Sequence, residues 1–490
     1  MSMPESLDPP PRPSKRPRHG EAPAVPPQLP EDVVLEQILT RVPAAATVRL
    51  RAVCRAWRAA LTSDHFVRAY RAIRAAAGHP PEIAFFAPAA ACPTSTTFYS
   101  YKLTQQNGSS SAAAAARELV TVENLDANDV LLCGTRPCHG LTLLFQRSAC
   151  AYHVCNLATG EHVALPPCAR AVREVPCSLY LFSSTGIGFD AAAGEHKVVR
   201  LYEDWDLQQR CEVYGLRSGG WRRCAGQPPP HAARGLDGSP PVFLDGRFYW
   251  HVNSRRNFAG QEALFFATPE PILSLAVDTE QFEWVRPPEQ RRAQSVTSLA
   301  ELDGSLCAVV ESGLNYELWT RATAAGSPAP AWSLRCSTSL PETRWDAMGR
   351  RVRVLPLGSP AGGKILLATS RHRVFAYDPR SNAAERVFDM GNFVDAPEEP
   401  AERPNEHGLL LNIAVHEEGV TGVGHRRTAA GDDGGRVKMK LGGGTVAMRE
   451  RPAGERREKF GVAFPQFIQF VLREGGVHKR LGTFFRNSRT

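Results

Sequence analysis

VFAYDPRSNAAERVF, residues 374–388, is the stretch on which the fold turns. A short apolar run ends at Asp378, a polar turn follows, and a second run returns. The pattern recurs in YHVCNLATGEHVAL (152–165), IGFDAAAGEHKVVRL (187–201) and LSLAVDTEQFEWV (273–285). Each first run closes on Asn156, Asp190, Asp278 or Asp378. These side chains accept hydrogen bonds from the turn backbone just ahead, which accounts for the residue type. A second hairpin falls between the copies. VFLDGRFYW (242–250) and LDGSLCAV (302–309) carry Asp-Gly at the tip, the strongest short signal for a tight primed turn. Two kinds of hairpin alternating from about residue 117 to 390, with no long helical pattern between them, predict a β-propeller. A β-sandwich would end sooner and needs no repeat.

Upstream the texture is helical. LPEDVVLEQILTRVPAAATVRLRAVCRAWRAALTSDHFVRAY fills residues 29–70. Pro30 suits a first helical position, and Glu31 and Asp32 favour the positive end of the helix dipole. Val34, Leu35, Ile38, Leu39 and Val42 recur at helical spacing; Pro43 stops that helix and opens the next. Leu50, Val53, Cys54, Trp57 and Leu61 form a second stripe. About forty residues cannot bury so much apolar surface alone. The strand-rich region has apolar residues of its own, and Gly78–Pro81 reads as a linker. The helical unit is therefore read as a dock for another protein, one the propeller does not need as a lid; the alternative is a small helical subdomain packed on the rest of the chain.

The residues in series carry a resemblance. Leu29-Pro30-Glu31-Asp32, Ile38-Leu39, Arg41-Val42-Pro43, Arg51 through Arg58, and Ser63-Asp64-His65-Phe66 resemble an F-box in order and spacing. Residues 45–48 depart from that family's pattern. The resemblance implies docking onto a Skp-type adaptor, and through it a cullin. The implied adaptor contacts are Leu29, Pro30, Ile38, Leu39, Val42, Pro43, Val53 and Trp57, with Leu39 and Trp57 as anchors. Further on, Pro137 to Leu141, Val154 to Gly160, Gly186 to Asp190, Lys197 to Arg200, Cys211 to Tyr214 with Trp221-Arg222, and Phe248-Tyr249-Trp250 resemble the F-box-associated region of the large land-plant F-box family. That region is a kelch-like propeller. The expected fold class is thus multidomain: a small all-α helical module followed by an all-β kelch-like β-propeller. The expected division is a Pro-rich disordered tail (1–28), the F-box (29–70), a linker (71–82), the propeller (83–420, core 117–390) and a basic, partly disordered extension (421–490). Residues 409–415 are expected to close the ring, and residues 105–116 to form an exposed loop.

Composition narrows the function. The net charge of +8 is dispersed: the last hundred residues carry 16 Lys+Arg against 13 Asp+Glu, so no basic face points to nucleic acid. No apolar leader or membrane-length run stands out. The 12 cysteines are expected as buried small hydrophobes in a reducing compartment, and the localisation as cytoplasmic or nuclear, with Lys15 to Arg18 a weak nuclear signal. Cys133-x4-Cys138 and Cys150-x4-Cys155 are spaced more widely than a zinc knuckle, so neither a metal nor a cofactor is expected. The acidic run at Glu203, Asp204, Trp205 and Asp206 is read as solvated turn charge. No nucleophile elbow or phosphate loop occurs, so no catalytic residues are named. The expectation is a non-catalytic substrate receptor of an SCF-type ubiquitin ligase, with an unknown target protein on the propeller. A scaffold acting outside ubiquitination and a propeller-fold enzyme are the alternatives.

Overall fold

The computed structural model describes residues 30, 32–76, 82–103, 115–168, 183–204, 208–230, 232, 236, 239–252, 272–289, 295–313, 315–321, 331–341, 352–360, 363–395, 412–423 and 438–449. The N-terminal tail with Leu29, most of the 105–116 loop, and Phe464, Phe467, Ile468, Phe470 and Val471, which read in sequence as a further apolar patch, lie outside them.

The helical unit opens with a π-helical turn, Val33–Ile38, and a 3-10 turn, Leu39–Arg41, where the spacing predicts one helix. Three α-helices follow: α1 (Ala44–Leu50), α2 (Arg55–Thr62) and α3 (Asp64–Ala76). Pro43 precedes α1 as its N-cap in extended geometry, a position where its missing N–H costs no helical hydrogen bond. Cys54 caps α2, its sulfur accepting from the Trp57 N–H at 3.4 Å. The Ser63 hydroxyl accepts from the Phe66 N–H at 3.2 Å and starts α3.

Six antiparallel sheets then form six blades. The chain enters through β1 (Glu82–Ala89), β2 (Cys92–Lys102) and β3 (Ala115–Glu123). The second blade is β4 (Val130–Leu132), β5 (Thr142–Gln146), β6 (Ala151–Asn156) and β7 (Glu161–Ala164). The third is β8 (Ser183–Asp190), β9 (Glu195–Glu203), β10 (Gln209–Gly215) and β11 (Trp221–Arg223). The fourth is β12 (Val242–Leu244), β13 (Arg247–His251), β14 (Ile272–Ala276) and β15 (Phe282–Val285). The fifth is β16 (Ser295–Leu302), β17 (Ser305–Ser312), β18 (Asn315–Arg321) and β19 (Ser333–Thr338). The sixth is β20 (Val354–Gly358), β21 (Ile365–Thr369), β22 (Arg373–Asp378) and β23 (Ala383–Asp389).

The ring closes when β24 (Ile413–His416) pairs with β1, Phe85 opposite Ile413 and Ile83 opposite Val415. The strand expected over 409–415 thus begins at Ile413. Two later strands, β25 (Lys438–Leu441) and β26 (Thr445–Ala447), pair with β3 on the outer side of the same sheet. The propeller boundary expected at 420 is too early, because this stretch completes the edge of the first blade.

The turn chemistry explains the hairpins. Asp245 and Gly246 have φ of 47° and 72°, and Asp303 and Gly304 have 51° and 74°, the paired left-handed geometry of a primed turn. Both sit between the first two strands of their blades. At the other corners, Asn156, Asp190 and Asp378 accept from the N–H two residues ahead at 2.9–3.0 Å. Three of the four repeat copies are the outer hairpins β6–β7, β14–β15 and β22–β23. The copy at 187–201 is an inner hairpin, β8–β9, so the copies are not equivalent.

One apolar cluster fills each junction between neighbouring blades. Along β1, Ile83, Phe85 and Ala87 face the sixth blade while Ala84 and Phe86 face the second. Alternation of two thus buries both faces, and the strands read as unbroken apolar runs.

Candidate functional site

Among the described residues, binding surface is offered by the helical unit, by the channel through the ring and by a cleft between them. The helical unit has a core of Leu39, Ala44, Leu61, Phe66 and Tyr70, and two propeller residues share it, buried Val420 and half-buried Ala158. The Tyr70 hydroxyl donates to the Val42 carbonyl at 3.0 Å, and burial pushes that hydroxyl up to about 12. Polar contacts reinforce the joint. The Arg51 guanidinium pairs with Glu161 at 2.9 Å and donates to the Val420 carbonyl at 2.6 Å. Glu418 accepts from the first N–H of α1 at 2.8 Å and pairs with Arg74 at 3.3 Å. Asp64 meets Arg217 at 2.6 Å across the exposed rim. The helices are therefore packed on the propeller, and the expectation that the two are independent is corrected. The physical reason is the one the size argument gave: the small unit lacks enough core and completes it with Val420.

The channel is a cavity of about 480 Å³. Its wall comes from the first strand of each blade: Leu132 on β4, Ile187 on β8, Leu244 on β12, Leu299 on β16 and Leu355 on β20, with Glu417 just after β24. Arg71 of α3 reaches one mouth. Arg136, on the wall, pairs with Glu301 and donates to the Leu357 carbonyl at 2.7 Å. Glu417 is buried enough for its carboxyl to be held above the usual range. A cleft of about 650 Å³ between α3 and the β1–β24 edge shares Arg71 and Glu417 with the channel.

An F-box domain family model matches residues 27–68, and the model described as F-box associated beta propeller domain matches residues 87–403. The chain belongs to the F-box-associated β-propeller family. This F-box protein is similar to two curated proteins of Arabidopsis thaliana. One, a putative F-box protein, is 24% identical over 296 residues, 59% of this chain and 58% of that one. The chain thus spans under two thirds of that relative. The other, an F-box/LRR-repeat/kelch-repeat protein, is 27% identical over 349 residues, 69% of this chain and 84% of that one. Among solved structures, the β-propeller domain of the trilobed protease from Pyrococcus furiosus aligns over 63% of this chain and 80% of that one. Its identity is 9% and its TM-score 0.32, too low to bear on function.

Within the F-box, the expected adaptor contacts divide. Val53 is 63% exposed and Ile38 is 44% exposed, and Pro30 and Pro43 also face solvent. Val42 and Trp57 are half-buried and pack on the helical core. Leu39 is 5% exposed, held by this chain's own residues. Its proposed role as an anchor is therefore revised: it supports the surface from beneath. Leu29 lies outside the described residues.

Other readings also shift. Glu203 and Asp204 are buried, not solvated: Glu203 accepts from Gln209 at 2.7 Å and Asp204 pairs with Arg210 at 2.7 Å. The 11 described cysteines are all free, and Cys54 and Cys92 are exposed rather than buried. Sequence reading missed Arg51, Glu161, Glu418 and Val420, which join the two units. Their partners lie more than a hundred residues away, beyond any periodic signal.

Proposed function

We propose that this chain is the substrate-recognition subunit of an SCF-type ubiquitin ligase, working in the cytoplasm or nucleus. F-box domains generally bind Skp-type adaptors, and one observation supports that role here. The F-box is fastened to the propeller through Arg51, Glu418 and Val420, yet leaves Ile38, Pro43 and Val53 exposed. Exposed apolar side chains on a folded motif are the kind of surface a partner covers. The adaptor would dock there and bridge to the cullin, while the propeller holds the target. Catalysis would then be proximity, supplied by other subunits to a target lysine, with no reacting group on this chain.

The test is binding of the purified full chain to a purified Skp-type adaptor. The joint variant Ile38→Glu/Val53→Glu changes exposed positions and should keep the fold while weakening binding at least about 30-fold, the equivalent of about 2 kcal/mol. Leu39→Ala should instead lower thermal stability. A folded wild-type chain that does not bind the adaptor overturns the proposal.

A further inference from the structure

Cys138, His139 and His196 meet at the junction of the second and third blades. Each offers a donor atom, and the three atoms lie within 4.8 Å of one another. Cys138 and His139 sit on the tight turn before β5, closed by the Cys138 N–H to the Leu141 carbonyl at 2.8 Å and the reverse bond at 3.0 Å. His139 has φ of 55° and Gly140 83°. A Cβ on Gly140 would stand 3.0 Å from Gly419 Cα, so glycine is required there. His196 comes from β9, opposite Phe189 on β8.

The telling atom is His196 Nε2. The side chain is nine-tenths buried, and among the described residues this nitrogen has no hydrogen-bond partner. Its ring lies beside the Cys138 backbone. A buried polar atom without a partner calls for one that the protein chain does not supply.

We propose that Cys138, His139 and His196 bind a thiophilic d¹⁰ cation of the zinc class, with a fourth position open to the channel. One thiolate and two imidazoles select a soft or borderline ion over magnesium or calcium. Zn–S near 2.3 Å and Zn–N near 2.0–2.1 Å bring tetrahedral donors to about 3.3–3.6 Å apart, so the side chains close in by on the order of an ångström. The thiol proton leaves to solvent as the Zn–S bond forms. Cys138 and His139 line the channel, which supplies the route of entry. Arg71 opposes a cation there, while the Glu417 carboxylate and the new thiolate favour it. The bound ion would clamp one blade to the next beside α3. The competing account is aromatic packing alone: His139 lies 4.6 Å from Phe189 and edge-on to His196 at 5.2 Å.

The experiment uses the purified full chain, stripped by chelator, with Co²⁺ as the optical probe and Zn²⁺ as competitor. The expected result is one equivalent of Co²⁺ with a thiolate-to-cobalt charge-transfer band, displaced by Zn²⁺. Cys138→Ser should abolish the band and Cys150→Ser should keep it. His139→Asn, which tolerates the left-handed turn, should weaken Zn²⁺ binding at least about tenfold, the low end for residues that merely support a metal site. If Cys138→Ser does not fold, His139→Asn decides. A folded wild-type chain that takes up no Co²⁺, or a band that survives in folded Cys138→Ser, leaves aromatic packing as the whole account.

Discussion

His153 carries at residue scale a tension that recurs in this ring, a polar side chain set among apolar blades. It is 3% exposed on β6, with Nδ1 3.0 Å from His162 Nε2 and Nε2 3.3 Å from Gln146 Oε1. With Oε1 facing it, Nε2 donates and Nδ1 accepts, so the neutral ring satisfies both contacts. Burial lowers its pKa from the ordinary 6.5 to about 4. The unfolded chain therefore takes the proton first as pH falls. The stability this ring contributes is complete above about pH 6.5 and drains away between there and pH 4. At about pH 5 the loss should be roughly 2 kcal/mol. Urea unfolding of wild type and His153→Gln at pH 7 and pH 5 measures it, and the variant should lose less by about that amount. Equal losses in both would show that the ring is protonated inside the fold.

At the scale of elements, what was legible was local. The Asp and Asn corners and the Asp-Gly tips are set by backbone geometry a few residues long, and they fell where expected. Blade number was less legible, because it depends on which distant strands pair. The closing strand was legible near 409–415, but its place as β24, Ile413–His416, is set by its pairing with β1. The joint between helices and propeller was opaque for the same reason: Val420 is one valine in a loop until Leu39 and Phe66 cover it. In the candidate docking set, spacing found the helical stripe but could not divide it into buried Leu39 and exposed Ile38 and Val53. Ring closure has its own consequence. Ile413 is fully buried on β24 between Phe85 and the sixth blade. Ile413→Ala should cost about 2–5 kcal/mol through lost burial and the cavity left behind. Trp284→Ala, on the exposed edge strand β15, should cost less than 1 kcal/mol. Urea midpoints distinguish the two, and equal costs would mean that β24 does not seal the ring.

At the scale of the whole molecule, the proposed function requires a controlled distance from adaptor to target, and two devices are able to set it. One is the chain between Ala76 and Glu82; the other is the packed joint. The contacts favour the joint: Arg51 to Glu161 and the Val420 carbonyl, Glu418 to α1 and Arg74, and Val420 within the helical core. Arg51 is 9% exposed, so removing its guanidinium strands a partly buried carboxylate and two carbonyls, at about 2–4 kcal/mol. Inserting six Gly/Ser residues after Ala76 should therefore leave a single unfolding transition, because the joint still holds the helices. The pair Arg51→Met/Glu418→Ala, with the native chain length, should split the transition, the helical unit melting before the propeller. Amide exchange in α1 and α2 would report the same event, rising at least tenfold in the double variant and little in the insertion. If the insertion alone frees the helices, the chain segment and not the joint fixes the geometry, and targets would then be presented over a range of distances rather than one.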